Sequence, residues 1–145
     1  MNPSGDALPR ELADAIARAG DRLSRLASHV VFLAITGSTN DGIVLPNSNA
    51  FVNVTESIIS GNGGSAVNVA AAASTANIDR TTMANNAAAL NASASGATIR
   101  AIGNNVFNNT TAVSIAAGGI VATDGQNRSG GNTSTQAPNV SVTLF

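Results

Sequence analysis

Few side chains in this 145-residue chain could carry chemistry. Past position 28 the charged residues are Asp41, Glu56, Asp79, Arg80, Arg100, Asp124 and Arg128. Cleaving a polymeric substrate by acid–base chemistry needs a base, a group that stabilises negative charge and a groove that holds the chain. Glu56, Arg80 and Arg100 are the one trio able to supply the first two. There is no Cys, so no disulfide framework and no thiolate metal site. His29 has no second His, which leaves zinc and iron unsupported; it reads as an exposed or dipole-facing imidazole at a helix end. Gly61-Asn62-Gly63-Gly64-Ser65-Ala66 matches the dinucleotide fingerprint G-x-G-x-x-A, with Asp79 further on. Such a turn must open a helix onto a pyrophosphate. The following Ala66-Val67-Asn68-Val69 alternates like a strand, so the reading is a structural corner.

The elements that position these groups come from a repeat. Asn62, Asn86, Asn109 and Asn132 lie 24, 23 and 23 residues apart, each ending a similar phrase. The phrases are Ser57-Ile58-Ile59-Ser60-Gly61-Asn62, Thr81-Thr82-Met83-Ala84-Asn85-Asn86, Asn104-Asn105-Val106-Phe107-Asn108-Asn109 and the weaker Asn127-Arg128-Ser129-Gly130-Gly131-Asn132. A fixed period in the twenties marks a solenoid in which each repeat forms one stacked coil. Apolar columns keep the same register: Val30, Val54, Ile78, Ala101; Ile35, Ile59, Met83, Val106; and Ile43, Val67, Leu90, Val113. Leu45 aligns with Val69, and Ser38 stands at the first ladder position. Neighbouring coils are expected ~4.8 Å apart. The ladder asparagines are expected to occupy the left-handed corner conformation and to bond one another along the axis. The final coil places Asp124 and Ser129 at core positions and is expected to be irregular. Gln136-Ala137-Pro138 reads as a turn, and Asn139 to Phe145 alternates as a last strand.

In this frame Glu56 and Arg80 share a column and should form an exposed ion pair of about 0.5 kcal/mol. Asp79 should point to the other face, and Arg100 lies three positions from the shared column. No two carboxylates share a column, so neither an acid–base pair nor a hard-cation site is assembled. Thr81-Thr82 and Thr110-Thr111 do not stack into a flat threonine array. Phe32, Phe51, Phe107 and Phe145 are the only aromatics available to stack on sugars. Sequons such as Asn53-Val54-Thr55 and Asn108-Asn109-Thr110 are what an Asn-, Ser- and Thr-rich chain produces by chance.

Composition divides the chain. Eight of its fifteen charges precede Ser28, whereas only one Asn precedes position 30. Residues 1–28 form one region and 29–145 the repeat domain. Leu8, Leu12, Ile16, Ala19, Leu23, Leu26 and Val30 fall on one face of a helix. Asp6 can cap it, Pro9 fits its first turn, and Gly20 costs roughly 1 kcal/mol in its middle. The expectation is a lid over the first coil. The net charge of −1 argues against a nucleic-acid partner, which would need a basic stripe. The apolar run at 30–35 is too short to span a bilayer, and the acidic stretch before it does not fit a signal peptide.

These phrases and columns resemble the right-handed parallel β-helix proteins of the pectate-lyase-like superfamily over roughly residues 30–132. The resemblance rests on the repeated coils and the asparagine ladder, and no catalytic motif is matched. It implies a mainly β fold, a right-handed parallel β-helix of about four to five coils, to which the amphipathic 1–28 segment would add an α-helical cap at the N-terminal end. Enzymes of that superfamily usually act on acidic polysaccharides, using Asp clusters that hold calcium with an Arg or Lys as base, or grouped Asp acids. This chain offers no such cluster, so no catalytic, cofactor-binding or metal residues are assigned. The function expected is a non-catalytic structural or interaction module. The alternative is a fragment or remnant of a polysaccharide lyase or hydrolase. A polysaccharide or another protein is the expected partner, and exposed end strands could pair with a second copy. An extracellular or cell-surface setting is suggested by the resemblance alone.

Overall fold

The computed structural model describes residues 30, 31 and 33–143. The amphipathic segment expected as a cap at 1–28, its boundary, His29, Phe32, Leu144 and Phe145 lie outside the described residues. Alternating apolar and polar residues bounded by left-handed corners build short strands, and these wind into a parallel solenoid of about 4 turns. The strands of the first coil are β1 (Val30–Val31), β2 (Ala34–Thr36) and β3 (Ile43–Leu45). The second coil holds β4 (Phe51–Thr55), β5 (Ile58–Ser60) and β6 (Ser65–Val69). The third holds β7 (Thr75–Asp79), β8 (Thr82–Ala84) and β9 (Ala88–Ala92), and the fourth β10 (Thr98–Ile102), β11 (Asn105–Phe107) and β12 (Thr111–Ile115). The last, incomplete coil has β13 (Ile120–Thr123) and β14 (Arg128–Gly130), followed by β15 (Val140–Ser141). Corresponding strands stack into three parallel sheets: β1-β4-β7-β10-β13-β15, β2-β5-β8-β11-β14 and β3-β6-β9-β12.

The three apolar columns pair in the expected register. Val54 faces Ile78 and Ile78 faces Ala101 in the first sheet. Ile59, Met83 and Val106 follow one another in the second, and Val67, Leu90 and Val113 in the third. Ile59, Val67, Ile78, Met83 and Ile99 are fully shielded from solvent. Each such side chain contributes about 1.5–3 kcal/mol by leaving water. Stacking like on like lets one coil fill the gap left by the last.

Two expectations about the corners and the final coil are corrected. The left-handed residue is not the ladder asparagine but the one before it: Gly37, Gly61, Asn85, Asn108 and Gly131 have φ of 73°, 66°, 56°, 55° and 67°. The chain needs the reversal first, after which the next side chain can turn inward. At the end of the solenoid Ala101 pairs with Thr123, not Asp124. The connection into β13 is one residue shorter than in earlier coils, and the lost residue is regained before β14, where Arg128 pairs with Asn105. Asp124 instead accepts a bond from the Gln126 amide at 3.0 Å. Ser129 does stand beneath Val106, as the repeat frame requires. The expected last strand shortens to β15, in which Val140 is 45% exposed.

Candidate functional site

The asparagine ladder is continuous from Asn62 to Asn132. The Asn62 Nδ2 donates to Asn86 Oδ1 at 2.9 Å, Asn86 Nδ2 to Asn109 Oδ1 at 3.0 Å, and Asn109 Nδ2 to Asn132 Oδ1 at 3.0 Å. Each carboxamide oxygen also accepts the backbone N–H of its counterpart one coil earlier. Those bonds run from Ser38, Asn62, Asn86 and Asn109, at 2.9–3.1 Å. The carboxamides of Asn62, Asn86 and Asn109 are buried, so each bond replaces one that water would have made.

A second inward ladder, not anticipated, occupies the preceding corner. Ser57 Oγ, Thr81 Oγ1, Asn104 Oδ1 and Asn127 Oδ1 accept the N–H of Leu33, Ser57, Thr81 and Asn104 at 3.0, 3.3, 2.9 and 2.9 Å. Its signal is in the sequence, because these four residues open the four repeated phrases. The change of residue type from Ser to Thr to Asn hides it. All three can place an accepting oxygen at the same point, and only Asn adds the axial amide bond, from Asn104 to Asn127 at 2.9 Å.

The glycine motif at 61–66 is a corner and leads into strand β6. A Cβ on Gly63 would strike the Thr39 carbonyl, and one on Gly64 the Asp41 carboxylate and backbone. These glycines allow one coil to lie directly on another. Asp41 completes the junction: Oδ1 accepts the Ser65 N–H at 2.6 Å and Oδ2 accepts Asn68 Nδ2 at 2.8 Å. Asn68 Oδ1 then accepts Asn91 Nδ2 at 3.2 Å.

The outward face of the first sheet carries the groups able to meet a partner. Glu56, Asp79, Arg80 and Arg100 are four of the seven charged residues after position 28. Glu56 and Arg80 share a corner column, as expected, with Arg80 Nη2 3.1 Å from Glu56 Oε1. Asp79 departs from expectation. It does not turn to the other face but lies 2.7 Å from Arg80 Nη1. The reason is parity: Ile78 points inward, so Asp79 points out, and the left-handed Arg80 (φ 44°) folds back over it. The two carboxylates occupy different columns yet converge on one guanidinium, with Thr55 Oγ1 3.4 Å from Arg80 Nη2. Arg80 and Glu56 are 59% and 57% exposed, so water screens the pair and leaves about 0.2–1 kcal/mol.

Beside this cluster runs an amide column. Asn77 Nδ2 donates to Asn53 Oδ1 at 2.8 Å, and Arg100 Nη1 reaches Asn77 Oδ1 at 3.4 Å. Arg100 pairs in register with Asn77, three positions before the corner column, so it does not join Glu56 and Arg80. A shallow depression lies among Asn53, Thr55, Asn77, Asp79 and Arg80. Thr75 and Thr98 stack on the same face, whereas Thr111 pairs with Ala88 and the Thr110-Thr111 step stays off the Thr81-Thr82 columns. Among the described residues no three His, Cys, Asp or Glu side chains come together as metal ligands, and no helix is long and apolar enough to cross a membrane.

Comparison of the chain with protein-family models, with curated proteins and with solved structures gives no match.

Proposed function

We propose that the chain is a non-catalytic β-solenoid module that presents the outward face of its first sheet to a polysaccharide or to another protein. One observation carries the reading: Asn53, Asn77 and Arg100 form an aligned column of hydrogen-bonding groups beside the Glu56–Arg80–Asp79 cluster. The inward ladders below hold successive strands in register, so this face keeps its spacing without a partner. A preorganised face loses little freedom on binding. Its donors and acceptors suit hydroxyl-rich chains, and its two acids and two arginines leave it close to neutral.

The alternative, a remnant of a polysaccharide lyase or hydrolase from the pectate-lyase-like superfamily, requires Arg80 or Arg100 to serve a substrate. Arg80 is held between two carboxylates, and Arg100 leans on an amide. A binding screen over neutral and acidic polysaccharides, read together with release of unsaturated products and reducing ends, separates the two. The interaction reading expects retention of at least one glycan or protein partner, loss of that retention in Asn77→Ala/Arg100→Ala, an unchanged melting temperature and no turnover. Turnover that disappears in Arg80→Ala or Arg100→Ala would establish the enzyme alternative.

A further inference from the structure

The ladder corner at Asn62 makes two demands on adjacent residues. Position 62 must supply a carboxamide that accepts the Ser38 N–H at 3.0 Å and donates to Asn86 Oδ1 at 2.9 Å. Position 63 must lack a Cβ, because one there would overlap the Thr39 carbonyl of the coil before. Together they impose Asn62-Gly63, the only Asn-Gly step in the chain. The other ladder asparagines, Asn86, Asn109 and Asn132, precede Ala87, Thr110 and Thr133. The difference is chemical. A deprotonated amide nitrogen can attack the side-chain carbonyl of the asparagine before it, and a Cβ on the attacking residue hinders that approach. Glycine leaves the path open.

We propose that Asn62-Gly63 is a deamidation site gated by folding: closed in the stacked coil, open in the unfolded chain, and irreversible once used. The Gly63 nitrogen gives its proton to hydroxide and bonds to Asn62 Cγ. The Cγ–Nδ2 bond breaks, and the nitrogen leaves as ammonia with a proton from water. The succinimide so formed takes up one water at either carbonyl and opens to aspartate or isoaspartate. The folded corner blocks the first step twice. The Gly63 N–H is committed to the Ser38 carbonyl at 2.8 Å. The Asn62 carboxamide is buried and held through both its oxygen and its nitrogen. Neither group can turn to the other without breaking ladder bonds. The products cannot rejoin the ladder. Aspartate at position 62 has no Nδ2 to donate and sets a buried carboxylate against Asn86 Oδ1, and a buried charge without a partner is costly. Isoaspartate lengthens the main chain by one methylene, which carries the Gly63 N–H away from the Ser38 carbonyl. Each unfolding episode therefore exposes the molecule to a loss that the stacked coil prevents. This inference is independent of the partner proposed for the first sheet.

The test incubates the full chain at one mildly alkaline pH, either folded in buffer or unfolded in guanidinium chloride. Peptide mapping by mass spectrometry follows residue 62. Conversion in the folded chain should be slower by about 100-fold or more, set by the fraction of time the corner is open. Removing the denaturant should then sort the molecules. The refolded fraction should retain Asn62, and chains with aspartate or isoaspartate at that position should collect in the fraction that does not refold. Chains unfolded for the same time at mildly acidic pH, where the amide nitrogen keeps its proton, should refold in full. Asn62→Asp reproduces one product and should lower the melting temperature by about 5 °C or more, or fail to fold. Asn62→Ser has no carboxamide to attack, so its refoldable fraction should stay constant through the alkaline incubation. If that variant does not fold, the acidic control carries the comparison. Equal conversion of residue 62 in folded and unfolded chains would overturn the inference. So would an unfolded chain that keeps Asn62 intact, or converted chains that refold and melt like the unmodified protein.

Discussion

Neighbouring asparagines do different work in this chain. Asn86 is buried, and its Oδ1 accepts both the N–H and the Nδ2 of Asn62. Asn85 is exposed and carries the left-handed backbone, φ 56°. Asn86→Ala strands two buried donors and should cost about 1–3 kcal/mol. Asn85→Ala loses only the side chain best suited to that backbone, a cost of about 1 kcal/mol, and Asn85→Gly should be neutral or slightly stabilising. Urea titration of the three variants ranks them. The ladder was legible from the spacing of Asn62, Asn86, Asn109 and Asn132, but the corner role was assigned to the wrong residue. Asn stands at both positions in Asn85-Asn86 and Asn108-Asn109, and only Gly61-Asn62 and Gly131-Asn132 separate the two requirements in sequence.

At the scale of the element, strand positions followed from columns of like apolar residues, because inward side chains stack directly. Corner connections did not, because a one-residue change in a loop leaves no trace in residue type. The connection from β12 to β13 shows the difference. Ala117 and Gly118 both take positive φ, and Gly119 passes so close to the Ala92 carbonyl that a Cβ would overlap backbone atoms. Neither partner is a flexible side chain, so relief requires the coils to separate. Gly119→Ala should therefore destabilise the fold by about 1–3 kcal/mol, seen as a lower urea midpoint with an unchanged slope. The equivalent Ala97 and Ala50 show that the close approach belongs to this shortened connection and not to the corner type.

On the scale of the whole molecule, apolar surface is distributed unevenly. Leu33, Val44, Phe51 and Ile58 are exposed and lie in the first two coils, and Ile35 and Ile43 at the top of the core are only half-buried. Polar residues replace them on the later coils: Asn68 and Asn91 below Val44, Thr75 and Thr98 below Phe51, Thr82 and Asn105 below Ile58. The amphipathic 1–28 segment is proposed to cover this end. Removing it should leave apolar surface and an unpaired strand edge that recruit other chains. Size exclusion should then show aggregation or dimerisation of the shortened protein, while a monomer of undiminished stability would mean the segment serves another purpose.

The central claim is that residues about one coil apart are locked together by buried carboxamides. Amide NMR tests it without any substitution. The side-chain NH₂ of Asn86 and Asn109 should exchange slowly with solvent and show cross-peaks to residues one coil away, Asn62 to Asn86 and Asn86 to Asn109. Rapid exchange of these carboxamides, with no cross-peaks between residues separated by 23 or 24 positions, would contradict the stacked solenoid.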